Sequence, residues 1–252
     1  RTEIRPATLL DCGAGTGAAS WAADALLDLR AVTCLEREPA MIRLGRSLAA
    51  EASPPLRNAA WIRRDLAKDD IPERAELVVA SYVLNEMNEA ERAAAVTKLW
   101  NAAERMLLIV EPGTPAAWRG LMAVRGQLLR LGAHIAAPCP HAAACPLEGG
   151  DWCHFRCRIP RSRLHKRLKD GAAPYEDEKF SYLAVTRKPA EPAEARIIRH
   201  PWTDKGRIAL ELCTAAGLRR AEVHKKDADL FRRARKADWG DAFGAPEVGS
   251  RR

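Results

Sequence analysis

Short apolar runs alternate with helical patterns through the first half of the chain. Five of these runs predict strands, at residues 7–11, 31–35, 59–62, 76–84 and 106–110. Helical patterns lie between them, for example over residues 18–29, 39–52 and 89–104. Alternation of this kind predicts an α/β fold with a doubly wound, mostly parallel sheet, and the ligand of such a sheet lies at the carboxyl ends of its strands.

A glycine-rich loop follows the first predicted strand. The chain reads D-C-G-A-G-T-G over residues 11–17, and a helical pattern follows at once. Glycines in this context turn the backbone tightly and let a ligand approach it closely. About 20 residues further on, Glu36 ends the second predicted strand, where an acid can accept hydrogen bonds from both ribose hydroxyls. The pattern predicts a site for a nucleotide-type cofactor.

NAD-binding and S-adenosylmethionine-binding folds both use such a loop. The form D-x-G-x-G-x-G resembles the first motif of class I S-adenosylmethionine-dependent methyltransferases. The resemblance implies that the loop approaches the methionine part of the cofactor, that the second-strand acid holds the ribose, and that an acid after the third strand lies beside the adenine. The matching cofactor-binding positions are Asp11, Gly13, Gly15, Gly17, Glu36 and Asp65.

Methyl-transfer chemistry is less clearly marked than cofactor binding. Enzymes that methylate amino groups often carry [D/N]-P-P-[Y/F] after the fourth strand, whereas this chain reads S-Y-V-L-N-E-M over residues 81–87. Asn85 could hydrogen-bond an acceptor amine and Glu86 could act as a base, but a helix-capping role explains Asn85 equally well. Neither the fourth nor the fifth strand carries the cysteine nucleophile of cytosine-C5 enzymes. The sequence leaves methyl transfer undecided.

A cysteine-rich motif lies in the middle of the chain, C-P-H-A-A-A-C-P-L-E-G-G-D-W-C-H-F over residues 139–155. Soft thiolate ligands suit zinc or an iron–sulfur cluster. Three cysteines of the motif need a fourth ligand for a closed site. If residues 152–159 form a strand, Cys153 and Cys157 share a face, so Cys157 and the distant Cys213 are equally good candidates. The full set is Cys139, Cys145 and Cys153, with Cys157, His141, His154 or Cys213 as the fourth ligand.

Charge and cysteine content narrow the class of protein. Residues 1–110 carry 14 basic and 16 acidic side chains, residues 111–186 carry 11 and 7, and residues 187–252 carry 16 and 10. The basic C-terminal half predicts a polyanionic partner such as nucleic acid. Seven cysteines, four of them bunched, indicate a reducing compartment rather than a disulfide scaffold. The chain contains no run of 18 apolar residues, so the sequence predicts no membrane span. Because the chain begins at Arg1 and not at Met, we interpret it as a fragment of a longer protein.

Two groups of basic residues are candidates for nucleic-acid contact, and three aromatic residues, Trp202, Phe231 and Trp239, could stack bases. The first group is Arg156, Arg158, Arg161, Arg163, Lys166, Arg167 and Lys169; the second is Lys225, Lys226, Arg232, Arg233, Arg235 and Lys236.

The C-terminal part of the chain predicts a separate module. Strand-like runs at residues 196–200, 207–212 and 218–224 predict a small β module, followed by a basic helix. We therefore predict two domains. Residues 1–190 form the cofactor-binding domain, including the cysteine-rich segment 137–158, and residues 191–252 form the basic module.

Several long motifs resemble those of one family. They are V-E-P-G-T-P (110–115), A-P-C-P-H-A-A-A-C-P-L-E-G-G-D-W-C-H-F (137–155), Y-E-D-E-K-F-S-Y-L (175–183), K-G-R-I-A-L-E-L-C-T (205–214) and F-R-R-A-R-K-A-D-W-G-D (231–241). They are similar to the methyltransferase-like mitochondrial small-ribosomal-subunit assembly factors and their bacterial counterparts. The resemblance covers nearly all of the chain.

The resemblance implies a cofactor set and a partner. It implies a [4Fe–4S] cluster whose fourth ligand comes from the L-C-T motif, so the metal ligands would be Cys139, Cys145, Cys153 and Cys213, with zinc as the alternative metal. It also implies binding of small-subunit rRNA, in the cytoplasm of a bacterium or in the mitochondrial matrix of a eukaryote. Three functions compete. The first is an S-adenosylmethionine-binding, iron–sulfur-containing factor that acts on the small ribosomal subunit and could methylate its rRNA. The second is a non-catalytic assembly factor, and the third is a zinc-stabilised methyltransferase that acts on a protein or small molecule.

Overall fold

The computed structural model describes residues 4–148, 150–163, 167 and 173–244. The chain divides into two units. The first takes the chain up to Glu111, together with Arg119–Pro138 and Tyr182–Pro192. The second takes Pro112–Trp118, Cys139–Ser181 and the chain from Ala193. The cysteine-rich segment is thus grouped with the C-terminal strands, and the domain division at residue 190 stays a prediction.

The first half of the chain alternates strands and helices. The strands are β1 (Thr8–Cys12), β2 (Ala31–Glu36), β3 (Ala60–Arg63), β4 (Ala75–Ser81), β5 (Ala103–Pro112) and β6 (His134–Ala137), and β7 (Phe155–Pro160) and β8 (Tyr175–Thr186) follow. The helices are α1 (Ala18–Asp24), α2 (Pro39–Ala49), α3 (Pro54–Arg57), α4 (Glu89–Ala102) and α5 (Pro115–Arg130).

The strand order of the large sheet is β3-β2-β1-β4-β5-β8-β6. Strands β1 to β5 are parallel where they pair, and β6 runs antiparallel to β8. The predicted α/β fold with a mostly parallel sheet is confirmed. The central strands carry continuous apolar runs because helices cover both faces of such a sheet; Leu9, Leu10 and Val78 are fully buried.

Several element boundaries differ from the sequence prediction by a few residues, and two of them lie next to the cofactor-binding loop or at the strand ends. Helix α1 ends at Asp24, five residues before the predicted end. Strand β4 ends at Ser81 instead of continuing to residue 84, because Tyr82 adopts a φ of 57° and turns the backbone out of the strand. A non-glycine residue in this left-handed region is uncommon. A short 3₁₀ turn, Leu84–Glu86, follows.

Local packing explains how α2 and α4 are placed. A Cβ atom on Gly45 of α2 would lie 2.2 Å from the indole ring of Trp61 on β3, so only glycine fits at this helix–strand contact. Helix α4 begins with a capping box, in which the Asn88 side chain accepts from the Glu91 N–H and the Glu91 side chain accepts from the Asn88 N–H.

In the part of the chain that the structure describes, no helix has the length and apolar character needed to cross a bilayer.

The C-terminal strands form a second, antiparallel sheet. Its strands are β9 (Ala195–Ile197), β10 (Trp202–Asp204), β11 (Arg207–Thr214), β12 (Gly217–His224) and β13 (Ala242–Phe243). Helix α6 (Ala228–Lys236) lies between β12 and β13 in the chain. The strand order is β10-β11-β9-β13, and β12 pairs with β11. The inward residues of β11, namely Ile208, Leu210 and Leu212, alternate with outward ones and form the core of this sheet.

Candidate functional site

A cleft of about 640 Å³ opens where the parallel strands of the first unit end. This volume is in the range of small-molecule sites, about 300–1,000 Å³. Five of the six predicted cofactor residues line it: Asp11, Gly13, Gly15, Glu36 and Asp65. The sixth, Gly17, faces Trp61, since a Cβ atom there would lie 3.4 Å from the indole ring. The structure therefore brings together most of the predicted cofactor set.

The first two glycines of the loop have different roles. Both have a positive φ, 74° at Gly13 and 56° at Gly15, which favours glycine. A Cβ atom on Gly13 would lie 2.6 Å from Cγ2 of Val83, so this glycine permits the loop to pack. A Cβ atom on Gly15 would meet no heavy atom of the described residues within 4 Å. Gly15 therefore leaves open space in the lining of the cleft.

Glu36 fastens the end of β2 to the glycine loop. Its Oε2 atom accepts a hydrogen bond from the Gly15 N–H (2.8 Å), and its Oε1 atom accepts one from the Glu38 N–H (2.8 Å). The residue is buried, with 8% of its surface exposed. A carboxylate has about four lone-pair positions, so two acceptor positions remain for hydroxyl groups of a ligand.

Asp11 holds helix α1 in place through hydrogen bonds with Ser20. Its Oδ2 atom accepts hydrogen bonds from the Ser20 N–H (3.1 Å) and from the Ser20 hydroxyl (2.7 Å). Burial raises the pKa of Asp11 to about 6, and the hydrogen bonds from Ser20 oppose this shift. The acid that opens the glycine motif thus has a structural role in this fold.

Asp65 and Glu86 lie at the rim of the cleft. Asp65 accepts a hydrogen bond from the Ala67 N–H (3.0 Å) and forms an ion pair with Lys68 (3.6 Å). Glu86 forms an exposed ion pair with Arg37 (3.5 Å). Both carboxylates could contact a ligand in the cleft.

Asn85 has a partner that the sequence did not predict. Its backbone N–H donates to Oε2 of Glu111 (2.9 Å). With the amide oriented to suit its acceptors, its side-chain nitrogen donates to the same Oε2 atom (2.9 Å) and to the carbonyl oxygen of Tyr82 (3.3 Å). The cap of α4 is Asn88 instead. The Asn85 side chain therefore ties down its own segment rather than capping a helix.

Glu111, which sequence reasoning did not select, is the buried anchor of this segment. Only 2% of its surface is exposed, and it also accepts a hydrogen bond from the Leu84 N–H (3.0 Å). Burial raises the pKa of Glu111 to about 7, and the backbone hydrogen bonds oppose the shift. A signal for Glu111 was present in the sequence. It is an acid that directly follows an apolar strand, in the motif E-P-G, and the carboxyl ends of such strands are where ligands bind.

The cysteines of the second unit have different surroundings. Cys139, Cys145, Cys153 and Cys213 are half-buried, whereas Cys157 is exposed on β7. Burial raises the pKa of the Cys153 thiol, and negative charge on Cys139, Cys145 and Cys213 would raise it further. These four thiols are therefore electrostatic neighbours. Among the described residues, however, no three His, Cys, Asp or Glu side chains are arranged closely enough to hold a metal ion.

Histidine and aromatic side chains surround the cysteine segment. The Sγ atom of Cys213 lies 3.7 Å from Nε2 of His141. The His154 ring stacks on Trp152 and meets the edge of Trp239, with 4.8 Å between ring centroids in both pairs. Strand β7 begins at Phe155, so Cys153 precedes the strand and shares no strand face with Cys157. The alternative ligand set that used this shared face loses its geometric basis.

Three arginines of the first basic group have acidic partners within the protein. Arg156 and Arg158 on β7 pair with Asp177 on β8 (3.2 and 2.8 Å), and Arg161 pairs with Glu176 (3.2 Å). Lys166 and Lys169 lie outside the described residues. Since these arginines already have acidic partners, they are weaker candidates for phosphate contact than the sequence suggested.

The second basic group and its aromatic neighbours are more exposed. Arg232, Arg233, Arg235 and Lys236 of α6 are all exposed, although Arg232 pairs with Asp229 and the guanidinium of Arg233 lies over the Phe243 ring (5.3 Å). Trp202 is 50% exposed and lies under the Arg207 guanidinium (5.0 Å), whereas Phe231 packs against the core of the sheet. Trp202 is therefore the better candidate for stacking.

Comparison with known proteins places the chain in a family. The family model described as "Mitochondrial small ribosomal subunit Rsm22" matches residues 1–244. The chain belongs to this family. The human protein named "Ribosome assembly protein METTL17, mitochondrial" is 30% identical over 94% of this chain and 55% of its own length. The Schizosaccharomyces pombe protein named "Rsm22-cox11 tandem protein 2, mitochondrial" is 27% identical over 93% of this chain and 38% of its own length. This Rsm22-family chain thus spans about half or less of these relatives.

Solved structures with a similar fold include methyltransferases. TehB from Haemophilus influenzae is 15% identical, with a TM-score of 0.49 over 73% of this chain and 59% of that chain. The magnesium protoporphyrin IX methyltransferase of Synechocystis with bound SAM is 17% identical, with a TM-score of 0.47 over 71% of this chain and 69% of that chain.

Proposed function

We propose that this Rsm22-family chain is an S-adenosylmethionine-binding, methyltransferase-like factor that acts on the small ribosomal subunit and carries a [4Fe–4S] cluster. The observation that carries the proposal is the cleft at the strand ends, where Gly15 leaves open space and Glu36 keeps free acceptor positions. The family of this chain is described as "Mitochondrial small ribosomal subunit Rsm22", and this membership supports the small ribosomal subunit as the partner.

The residues of the cleft suit each part of the proposed cofactor. The loop backbone at Gly13 and Gly15 would lie against the methionine part, and the open space at Gly15 would admit it. Glu36 would accept hydrogen bonds from the ribose hydroxyls, and Asp65 would lie beside the adenine. When bound, the cofactor would supply an activated methyl group.

The surroundings of the two catalytic candidates favour a binding role over methyl transfer. Asn85 directs its amide at Glu111 and at the Tyr82 carbonyl, so an acceptor amine would have to displace both. Glu86 is engaged by Arg37. We therefore favour an assembly factor that uses the cofactor to stabilise its fold over an enzyme that methylates an rRNA amino group.

The proposed cluster ligands are Cys139, Cys145, Cys153 and Cys213. Four soft thiolates are the donor set that such a cluster requires, and these four are half-buried electrostatic neighbours in one unit. Binding would draw the thiols together and add its free energy to that of folding. Cys157 is the weaker candidate because it is exposed on β7.

The proposed partner is small-subunit rRNA, contacted by the exposed basic side chains of α6. The curated relatives are named as mitochondrial proteins. For this chain we propose the mitochondrial matrix if its source is a eukaryote and the cytoplasm if it is a bacterium.

Two measurements on anaerobically purified protein test the proposal. Visible absorption, with iron and acid-labile sulfide analysis, should give a brown protein with about four of each per chain. Calorimetry with S-adenosylhomocysteine should give one site per chain. A colourless protein that contains stoichiometric zinc would show that the cysteines bind zinc and not a cluster. Absence of S-adenosylhomocysteine binding would overturn the cofactor assignment.

A further inference from the structure

The segment between β4 and α4 forms one wall of the cleft. Ser81, Tyr82, Val83, Glu86 and Met87 all line it. The segment contains few regular hydrogen bonds of its own, since it holds only a single 3₁₀ turn. Its shape must therefore be set by contacts from outside.

One carboxylate supplies much of that support. Glu111, at the end of β5, accepts hydrogen bonds from the Leu84 N–H (3.0 Å), the Asn85 N–H (2.9 Å) and the Asn85 side-chain amide (2.9 Å). Hydrogen bonds to a charged acceptor are stronger than those to a neutral one. Three donors converge on a group that is almost wholly removed from solvent.

The held segment in turn fixes the glycine loop. Val83 lies so close to Gly13 that a Cβ atom on the glycine would come within 2.6 Å of its Cγ2 atom. Tyr82, directly before it, has a φ of 57°, a strained conformation for a non-glycine residue that persists only where the surrounding structure holds it. A movement of residues 82–85 would therefore change both the wall of the cleft and the support of the loop.

We propose that Glu111 is the positioning residue of the cofactor cleft, and that its ionised carboxylate holds residues 82–85 in the conformation that binds the cofactor. Glu111 does not line the cleft itself but acts through Val83 and the backbone of Leu84 and Asn85. The inference rests on the proposed function, because the cofactor is the ligand whose affinity would change.

Ionisation of Glu111 should matter near neutral pH. Its pKa is raised to about 7 by burial, and the facing Arg92 guanidinium on α4 acts in the opposite direction. A protonated carboxyl has one fewer acceptor oxygen for three converging donors. Cofactor affinity should therefore rise with pH as Glu111 ionises. Asp11 also lines the cleft, but its pKa of about 6 places most of its titration below this window.

The test is calorimetry with S-adenosylhomocysteine between pH 6.5 and 8.5 on the wild-type chain and Glu111→Gln. Wild-type affinity should rise by several fold across this range. The variant should bind about tenfold more weakly at pH 8, which corresponds to the loss of about one charged hydrogen bond, and its affinity should be nearly independent of pH. Glu104→Gln is the matched control, because Glu104 lies at the other end of β5 and pairs with Arg74 at the surface.

Amide hydrogen exchange provides a readout that does not need the cofactor. In Glu111→Gln the Leu84 and Asn85 amides should exchange faster than in the wild-type chain, while the amides of β1 and β4 stay protected. Unchanged exchange at Leu84 and Asn85, or equal pH profiles in the two proteins, would overturn the role of Glu111. If the wild-type chain binds no S-adenosylhomocysteine at any pH, the proposed function fails, and exchange alone decides whether Glu111 holds the segment.

Discussion

The Gly15 N–H donates a hydrogen bond of 2.8 Å to the Glu36 carboxylate, which joins the glycine loop to the end of the second strand. The two features that predicted a cofactor site from the sequence are thus one physical unit. A ligand that forms a hydrogen bond with Glu36 would therefore also affect the conformation of the glycine loop. Loss of either residue should therefore affect binding through the other.

Substitution of Gly15 by valine should abolish S-adenosylhomocysteine binding. The new side chain would project into the open space beside the loop, and a β-branched residue would also be strained at a φ of 56°. Gly132→Val is the matched control, because Gly132 has a φ of 80° and likewise meets no described heavy atom within 4 Å. Both variants should lose about 1–2 kcal/mol of stability, but only Gly15→Val should lose binding in calorimetry. Equal affinity in wild type and Gly15→Val would contradict the cofactor site.

Replacement of Cys213 by serine should lower the iron content of anaerobically purified protein. The reason is that Cys213 is an electrostatic neighbour of Cys153 and would complete the set of four thiolates. Cys157→Ser should retain its iron, because Cys157 is exposed on β7. Iron and sulfide analysis of both variants checks this. If Cys157→Ser loses its iron and Cys213→Ser retains it, the ligand choice is wrong.

Reversal of charge on α6 should weaken rRNA binding and reduce its dependence on salt. Each phosphate contact that is lost lowers the slope of log K against log salt by about one. We would change Arg233, Arg235 and Lys236 to Glu, because all three are exposed. Arg158→Glu is the control, because Arg158 already pairs with Asp177. Binding to small-subunit rRNA across a salt series should weaken most in the triple variant. Binding that is independent of salt would favour a small-substrate enzyme instead.

The free energy of unfolding should fall as the pH rises from about 4.5 to 7. Burial raises the pKa of Asp11 from 3.8 to about 6 and that of Glu111 from 4.5 to about 7. In this window the folded chain binds more protons than the unfolded chain, so deprotonation favours unfolding. Each carboxyl could contribute up to about 3 kcal/mol. Thermal unfolding of wild type and Asp11→Asn across this range should show a shallower pH dependence in the variant. Identical profiles would contradict the raised pKa of Asp11.

The sheet and its glycine loop could be predicted from local patterns alone. Apolar runs, positive-φ glycines and an acid at a strand end each reflect physics within a few residues of the chain. The sequence thus placed the ends of β1 to β5 to within three residues. The end of β4 is among the largest differences, because the turn at Tyr82 depends on contacts with Val110 and Glu111 from another strand.

The rest of the site depends on contacts between distant residues. The pairing of Arg158 with Asp177 depends on the register of β7 against β8, which composition does not specify. The roles of Asn85 and Glu111, 26 residues apart, likewise emerge only when two strand ends meet. The link between Cys213 and the earlier cysteines came from family resemblance, since spacing alone left Cys157 equally good.

The lining of the cleft begins at Asp11 and ends at Glu91, whereas the first cysteine of the half-buried set is Cys139. During synthesis on a ribosome, every side chain of the cleft lining would therefore emerge before the first of these thiols. The cleft lining and the four cysteines also occupy separate stretches of the gene. A single deletion could therefore remove the segment that holds Cys139, Cys145 and Cys153 while leaving the coding sequence of the cleft lining intact.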